Sequence, residues 1–192
     1  MNTNDPSVLK HNKALKMMLW FGMISMSMTF AGLTSAYVVS SSRADWIEQI
    51  NLPGAFTIST FIMVLSSLSF HLALQQLKKG ILKQAQTFLL TTLLLAVSFV
   101  YFQFQGFNGI IEQGYYFTGP ESSITTSYLY VLVLLHLAHL TIGVITILTL
   151  FYKTRIGKYQ NGNLLGFELA VTFWHFLDIL WVYLFLFVSF YD

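Results

Sequence analysis

The stretch LLGFELAVTFWHFLDILWVYLFLFVSF, residues 164–190, decides the fold class. A helix that rises 1.5 Å per residue needs about 20 apolar residues to cross a hydrocarbon layer of about 30 Å, and this run is long enough. His175 and Asp178 lie in its middle. Because ionised groups are expensive in lipid, the run raises the question of what these two side chains do there.

Composition extends this interpretation to the whole chain. Of the 192 residues, 55% are hydrophobic and only 9% are charged, whereas a soluble domain has roughly 25% charged residues. We therefore predict an all-α fold, a polytopic membrane protein whose residues 1–192 form a single domain of five transmembrane helices. The predicted helices occupy about residues 17–40, 55–77, 85–107, 127–152 and 164–190.

The basic residues predict the topology. Ten Lys and Arg against eight Asp and Glu leave a net charge of +2, too small to indicate nucleic-acid binding. With five spans, three basic clusters fall on one side of the membrane, which predicts a cytoplasmic N-terminus and an outer C-terminus at Asp192. Four or six spans would scatter them. The clusters are Lys10, Lys13 and Lys16; Lys78, Lys79 and Lys83; and Lys153, Arg155 and Lys158.

Cysteine is absent, which excludes thiolate zinc sites, iron–sulfur clusters and the dinuclear copper site that needs thiolates. The first apolar window is too long for a signal-peptide core and follows basic residues, so we expect a retained helix there and not a cleaved leader.

Two stripes predict helix packing. The first helix carries small residues at alternating steps of three and four, a spacing that lets helix backbones approach closely in lipid. This stripe could pack within the chain or against another subunit. Two tryptophans seven residues apart mark a second stripe in the last helix. The packing residues are Gly22, Ser25, Thr29, Gly32 and Ala36, with Trp174 and Trp181.

Ionisable side chains inside the membrane are the candidate functional residues. His136 and His139 lie near the centre of the fourth predicted helix, as His175 and Asp178 do in the fifth. Each pair has i, i+3 spacing and so shares a helix face. Glu168 precedes His175 by seven residues, toward the predicted cytoplasmic end of the same stripe.

Three explanations compete for these residues. Two histidines on facing helices could ligate haem, although His136 and His139 put two imidazoles on one face where one axial ligand is needed. A proton relay needs ionisable groups at successive depths, whereas these cluster at one depth. A structural polar contact between the fourth and fifth helices would fix their register where apolar packing is weakly specific. Physical reasoning alone favours the structural contact.

Several motifs resemble subunit III of the haem-copper terminal oxidases. WHFLDILWVYLFLF at 174–187 is similar to the family's characteristic last helix. Four further segments agree in order, so the resemblance covers about residues 20–190. They are GFELA at 166–170, with Glu168 at the acidic position; LLHLAHLTIG at 134–143, with His136 and His139 on the family's two histidines; FVYFQ at 99–103; and SMSMTFAG at 25–32.

The chain departs from the family pattern at two positions. Met26 stands where many members carry an acidic residue, so no carboxylate chemistry carries over there. Gly106 stands where many members have Glu. The chain also resembles the short five-helix form, which lacks the N-terminal helix pair that helps to build a lipid cleft in the seven-helix form.

The resemblance implies an accessory core subunit III of a proton-pumping cytochrome c oxidase in a bacterial inner membrane. Such a subunit is not an enzyme by itself: it has no catalytic or metal-binding residues and no cofactor, and haem and copper belong to its partner subunits. It packs against the catalytic subunit I, accompanies the electron-receiving subunit II, stabilises the complex, supports proton uptake and binds lipid. Membership of a respiratory supercomplex stays open.

Two alternatives remain at this point. Subunit III of a haem-copper quinol oxidase fits the same motifs, because the electron donor is chosen by another subunit. A haem-binding membrane cytochrome b is the alternative of another class. The favoured interpretation is a structural polar contact that supports assembly. Its members are His136, His139, Glu168, His175 and Asp178.

Overall fold

Five long helices make up the fold. A computed structural model describes residues 6–43, 46, 53–115, 124–157, 159 and 164–191. The helices are α1 (Pro6–Ser40), α2 (Gly54–Lys78), α3 (Leu82–Glu112), α4 (Ile124–Arg155) and α5 (Leu165–Tyr191). Each is long and apolar enough to cross a membrane, and the described residues contain no strand. This confirms the predicted all-α, five-helix fold.

The helices extend beyond the predicted windows. Helix α1 begins at Pro6 and α3 ends at Glu112, whereas hydropathy placed these ends at about Met17 and Phe107. Backbone hydrogen bonds continue through polar residues at the membrane surface, so hydropathy marks the lipid-spanning part of a helix and not its ends. Lys158 and Asp192, used in the topology prediction, lie outside the described residues.

A short connection makes α2 and α3 an antiparallel hairpin. Gly80, with φ of 77°, donates its backbone N–H to the Leu77 carbonyl and ends α2. This left-handed conformation is easy for glycine and costly for other residues. Helix α3 then begins at Leu82 and packs along α2.

The remaining contacts between helices give their arrangement in the bundle. Helices α2, α3, α4 and α5 form a closed ring in which each packs on its two neighbours. Helix α1 lies outside this ring and, among the described helices, contacts only α4 and α5. Helix α5 therefore touches three helices, α1, α2 and α4.

Aromatic rings and two glycines form the tight contacts of the core. Trp174 is fully buried and lies edge-on to Phe70, with ring centroids 6.2 Å apart. A Cβ on Gly143 of α4 would lie 3.0 Å from the Trp174 ring. A Cβ on Gly106 would lie 2.7 Å from the Phe56 ring, so an aromatic ring fills the space that a larger side chain at this position would need.

The small-residue stripe of α1 faces away from the bundle. Helix α1 buries Met23, Phe30, Thr34 and Tyr37, and Ser25, Thr29 and Gly32 lie on the opposite, exposed side. Apart from the adjacent residues and nearby backbone of α1 itself, no described atom lies within 4 Å of a Cβ built on Gly22 or Gly32. Ser25, Thr29 and Gly32 thus make no close contact within the described part of the chain, because the phase of the stripe differs from that of the buried face, whereas Gly22 and Ala36 are half-buried. Packing against another subunit stays a prediction.

Candidate functional site

Two tryptophans fix α5 against α2 on the inner side of the bundle. The Trp174 indole Nε1–H donates to the Ser66 Oγ at 3.0 Å, and the Trp181 Nε1–H donates to the Thr60 Oγ1 at 3.0 Å. Both tryptophans are buried, at 0% and 2% exposure. A hydrogen bond in a lipid-enclosed bundle resists exchange with water, so these two bonds set the register of the antiparallel helices.

A second set of polar side chains lies on the outer edge between the same helices. Ser67 follows Ser66 and is therefore rotated by about 100° around α2, toward this edge. Its hydroxyl forms a hydrogen bond with Nδ1 of His175. The His175 ring also lies beside that of His71, one turn from Ser67 on α2, with centroids 5.7 Å apart. We call Ser67, His71, His175 and Asp178 the polar seam.

Asp178 is the least satisfied member of the polar seam. It is 5% exposed, and neither carboxyl oxygen has a hydrogen-bond partner of good geometry among the described residues. The Ser67 hydroxyl lies beside it. A hydroxyl has a single proton to donate, so Ser67 leaves most of the carboxyl's hydrogen-bonding capacity unused. A recess at this edge of the bundle is lined by Val64, Ser67, His175, Asp178, Ile179 and Val182, and the carboxyl oxygens of Asp178 themselves are enclosed.

The two histidines of α4 point to different neighbours. His136 is fully buried, with ring centroids 5.1 Å from Trp181 and 6.2 Å from Phe99. Neither of its ring nitrogens has a hydrogen-bond partner among the described residues. His139 donates Nδ1–H to the carbonyl of Leu135 in its own helix at 2.7 Å. Its ring faces Phe30 of α1, 5.8 Å away.

The predicted hydrogen bonds between α4 and α5 are not formed among the described residues. His136 and His139 do not pair with His175 or Asp178, and the partner of His175 is Ser67 of α2. This part of the predicted polar contact is wrong. What it contributes to assembly stays a prediction.

The orientation of α5 about its own axis explains why the predicted hydrogen bonds to α4 are not formed. The stripe of Trp174 and Trp181 faces the interior, where Trp181 meets His136 of α4. His175 and Asp178 are rotated from this stripe by about 40° to 100°, which turns them to the edge shared with α2. Spacing places residues on one face of their own helix, but it does not say which neighbouring helix lies opposite.

Glu168 lies apart from the polar seam, at the end of the bundle. Its Oε1 is 2.8 Å from Nζ of Lys78, which joins the first turn of α5 to the last turn of α2. Both side chains are substantially exposed, at 37% and 51%. An ion pair in contact with water is screened and contributes little to stability.

We expect Glu168→Gln to lower the free energy of unfolding by less than about 1 kcal/mol. Denaturation of the purified subunit in mixed detergent micelles measures this, with Glu112→Gln at the end of α3 as the matched control. If Glu168→Gln lowers the free energy of unfolding several times more than the control does, the ion pair instead holds the end of α2 against α5.

Sequence reasoning missed the partners supplied by α2. Ser66 and Thr60 bond to carbonyls of their own helix, as hydroxyls in membrane helices commonly do, and they also accept hydrogen bonds from the two indoles. One feature of the sequence could have indicated these partners. Thr60 and Ser66 are six residues apart on a helix that runs in the opposite direction, and the two tryptophans are seven residues apart.

The surroundings of His136 are unsuited to ligation of haem. The described residues contain no cluster of three His, Asp or Glu side chains that could hold a metal ion. His136 is packed between two aromatic rings, which leaves no space for a porphyrin beside its nitrogens. Ser67 and His175 join α2 to α5 through a hydrogen bond.

Comparison with known proteins gives one consistent family. The chain is 28% identical over 196 residues to the cytochrome bo(3) ubiquinol oxidase subunit 3 of Buchnera aphidicola subsp. Acyrthosiphon pisum, covering 98% of this chain and 92% of that protein. It is 29% identical to the cytochrome c oxidase subunit 3 of Bacillus sp. (strain PS3), covering 91% and 83%. It is 31% identical to the cytochrome bo(3) ubiquinol oxidase subunit 3 of Buchnera aphidicola subsp. Baizongia pistaciae, covering 88% and 87%.

The family model described as cytochrome c oxidase subunit III matches residues 8–192, which include all the motifs quoted above and all of the polar seam. With five membrane-spanning helices and a match over nearly its whole length, this chain belongs to the cytochrome c oxidase subunit III family, the third subunits of haem-copper oxidases.

Proposed function

We propose that this chain is a non-catalytic core subunit of a proton-pumping cytochrome c oxidase in a bacterial inner membrane. It packs against the catalytic subunit I, which holds haem and copper, and belongs to the same complex as the electron-receiving subunit II. The observation that carries this proposal is that His136, His139 and His175 are engaged in contacts within the bundle. His136 is enclosed by aromatic rings, and His139 and His175 are bonded to neighbouring groups.

Stabilisation of the complex is the first role that this packing supports. Helix α5 is tied to α2 by two indole hydrogen bonds and to α4 by close contact of Gly143 with Trp174. Such a bundle presents a rigid apolar surface to another membrane subunit. In lipid, association depends on close packing and hydrogen bonds more than on the hydrophobic effect, so rigidity favours a stable interface.

Support of proton uptake is the second proposed role. The basic residues Lys78, Lys79, Lys83 and Arg155 lie in or beside the ends of helices that meet at one end of the bundle, which the positive-inside rule makes cytoplasmic. Glu168 lies at the same end and is partly exposed. The basic residues mark this end as cytoplasmic, and a carboxylate at a water interface can take up and release protons, which is what collection of protons for a neighbouring subunit requires.

A quinol oxidase complex is the second candidate. Relatives named as subunits of cytochrome c oxidase and of ubiquinol oxidase match this chain with similar identity, 29% and 28%. The electron donor must therefore be identified on the whole complex.

Purification of the complex tests the proposal. A tagged form of the chain, solubilised from native membranes in mild detergent, should retain a large haem-containing subunit and oxidase activity. Oxidation of cytochrome c by this complex would support the first candidate, and oxidation of a quinol alone would support the second. Absence of any oxidase subunit, at a detergent concentration that keeps the five-helix chain folded, would contradict both.

A spectrum of the isolated chain tests the alternative of a membrane cytochrome. We expect the subunit expressed alone to show no Soret band in stoichiometric amount, because His136 lacks space for a porphyrin. The expression host should be supplied with a haem precursor, and a known membrane cytochrome produced in parallel serves as the positive control. One haem per chain would overturn the non-catalytic assignment.

A further inference from the structure

A recess opens on the outer surface of the bundle between α3 and α4. Its volume is about 300 Å³, and its walls include Val97, 59% exposed on α3, and Leu140 and Val144 on α4. Among the described residues that line it, Thr141 alone is polar, and its hydroxyl donates to the Leu137 carbonyl of the same helix. Because this proton is already engaged, the recess suits an apolar occupant.

Two basic side chains lie at one end of the same two helices. Lys83 is in the first turn of α3, Arg155 is the last residue of α4, and both are exposed. The side-chain amide of Gln86 donates to the Thr154 carbonyl at 3.4 Å, which joins the beginning of α3 to the end of α4. The two positive charges therefore lie on adjacent helix ends that are held together.

The positive charge of Arg155 is in line with the recess. Arg155 follows Val144 by about three helical turns, so the two residues share a face of α4. These turns span about 16 Å, close to the half thickness of about 15 Å of the hydrocarbon core. A molecule with a negative headgroup at Arg155 and an apolar chain as long as half the core therefore reaches the recess at Val144.

The two positive charges lack a compensating carboxylate at this end of the described bundle. Of the described acidic residues, Glu112 lies at the opposite end of α3 and Asp178 lies near the middle of α5. Glu168 lies at this end but pairs with Lys78 at 2.8 Å. A phosphate group supplies negative charge and accepts hydrogen bonds from guanidinium and ammonium groups, and anionic phospholipids carry it at the membrane surface.

We propose that the recess binds an anionic phospholipid of the cytoplasmic leaflet, with its phosphate at Lys83 and Arg155 and one acyl chain against Val144. One molecule then compensates the charge at the helix ends and covers the apolar walls. The inference rests on the proposed function in one respect, because both place this end of the bundle on the cytoplasmic side. Both walls belong to this chain, so the site is distinct from the cleft that an N-terminal helix pair helps to build in the seven-helix form.

Photo-labelling in lipid vesicles tests the site on the tagged chain, purified with its associated subunits. The vesicles consist of phosphatidylcholine with a trace of phosphatidylglycerol that carries a photoreactive group near the end of one acyl chain. We expect mass spectrometry to find labelled α3 and α4 segments around Val97 and Val144, about fivefold above labelling by phosphatidylcholine with the same photoreactive chain. Equal labelling by the two lipids would overturn the proposal, as would capture of another protein by a photoreactive residue placed at Val97.

Substitutions of the basic residues test the headgroup contact. Lys83→Gln and Arg155→Gln should each lower labelling by phosphatidylglycerol about fivefold and leave labelling by phosphatidylcholine unchanged. Lys13→Gln, at an exposed position of α1, is the matched control and should change neither. Unchanged labelling in the variant that carries both substitutions would contradict a phosphate at these residues.

A bulkier side chain tests the acyl-chain contact. Val144→Phe should lower labelling by both lipids, because the added ring occupies the recess. Ile145→Phe adds the same ring at a neighbouring position that is 57% exposed and outside the lining, and it should leave labelling unchanged. Expressing the yield per molecule of folded chain separates loss of lipid from loss of folding. Equal labelling of the two variants would contradict an acyl chain at Val144.

Labelling and purification separate this inference from the proposed function. If the chain purifies with the catalytic subunit but phosphatidylglycerol shows no preference for the recess, the lipid proposal fails and the proposed function stands. If phosphatidylglycerol labels the recess of a chain that purifies with no oxidase subunit, the proposed function fails and the lipid site stands.

Discussion

Trp174→Ala is expected to lower the free energy of unfolding of this subunit by about 3 to 5 kcal/mol, the range for deleting a fully buried aromatic side chain. Trp174 is 0% exposed and fills the space between α2, α4 and α5. Its ring contacts Phe70 of α2 and approaches Gly143 of α4, and its indole N–H bonds to Ser66. Alanine removes all three contacts and leaves a cavity where three helices meet.

Unfolding in mixed micelles, followed by circular dichroism, measures this loss. Trp20→Ala is a matched control, because Trp20 is 59% exposed on α1 and its removal should change the free energy of unfolding by less than about 0.5 kcal/mol. Trp174→Phe keeps most of the ring but loses the hydrogen bond, so we expect about 0.6 to 2 kcal/mol. Similar losses for Trp174→Ala and Trp20→Ala would contradict the assigned role of Trp174.

Gly143→Leu is expected to separate α4 from α5. A Cβ at this position lies 3.0 Å from the Trp174 ring and 3.1 Å from Leu177 Cδ1, closer than ordinary van der Waals contact. Extra methylene groups in a packed core cost about 1 to 3 kcal/mol, and leucine adds several against a buried tryptophan that has little room to move. We expect a loss above this range, measured as a lower unfolding midpoint and a smaller yield of folded chain.

Gly32→Leu is the matched control for this substitution. It places the same side chain on α1, where no described atom lies within 4 Å of the added Cβ. The isolated subunit should therefore keep its stability. A double-mutant cycle adds a direct test: the cost of Gly143→Ala should fall when Trp174 is already replaced by a smaller residue, because the two positions share one contact. If the two substitutions lower the free energy of unfolding additively, the destabilisation by Gly143→Ala does not arise from contact with Trp174.

The Gly32→Leu variant also tests the small-residue stripe of α1. If the stripe packs against another subunit, the variant should be stable when isolated but should retain less of its partner in the purified complex. Full retention at normal stability would mean that the stripe faces lipid. The two outcomes can be told apart because Ser25, Thr29 and Gly32 are exposed in this chain, so a change there should affect binding of a partner without affecting folding.

The five helices could be predicted from sequence because their cause is local. Lipid offers no hydrogen bonds to the backbone, so a long apolar run must form a helix whatever its neighbours are. The run at 164–190 therefore predicted α5, and four similar runs predicted the others. The motif around His175 and Asp178 likewise predicted the family without any knowledge of the packing.

Partners across the bundle could not be predicted in the same way. His175 was expected to meet the histidines of α4 and instead bonds to Ser67 of α2, while His136 lies among aromatic rings. Both outcomes preserve the i, i+3 spacing within each helix. The spacing restricts a side chain to a face, and the rotation of that face toward a neighbour depends on large residues elsewhere, such as Trp174 against Gly143.

That this protein crosses a membrane with five helices and belongs to a family of oxidase subunits follows from its residues alone. The position of α5 between α1, α2 and α4, and the burial of the Asp178 carboxyl beside α2, are known only from the packed bundle. The difference arises because hydropathy and backbone hydrogen bonding act along one segment of chain. The order and rotation of helices depend on fitting side chains from distant segments into one close-packed interior.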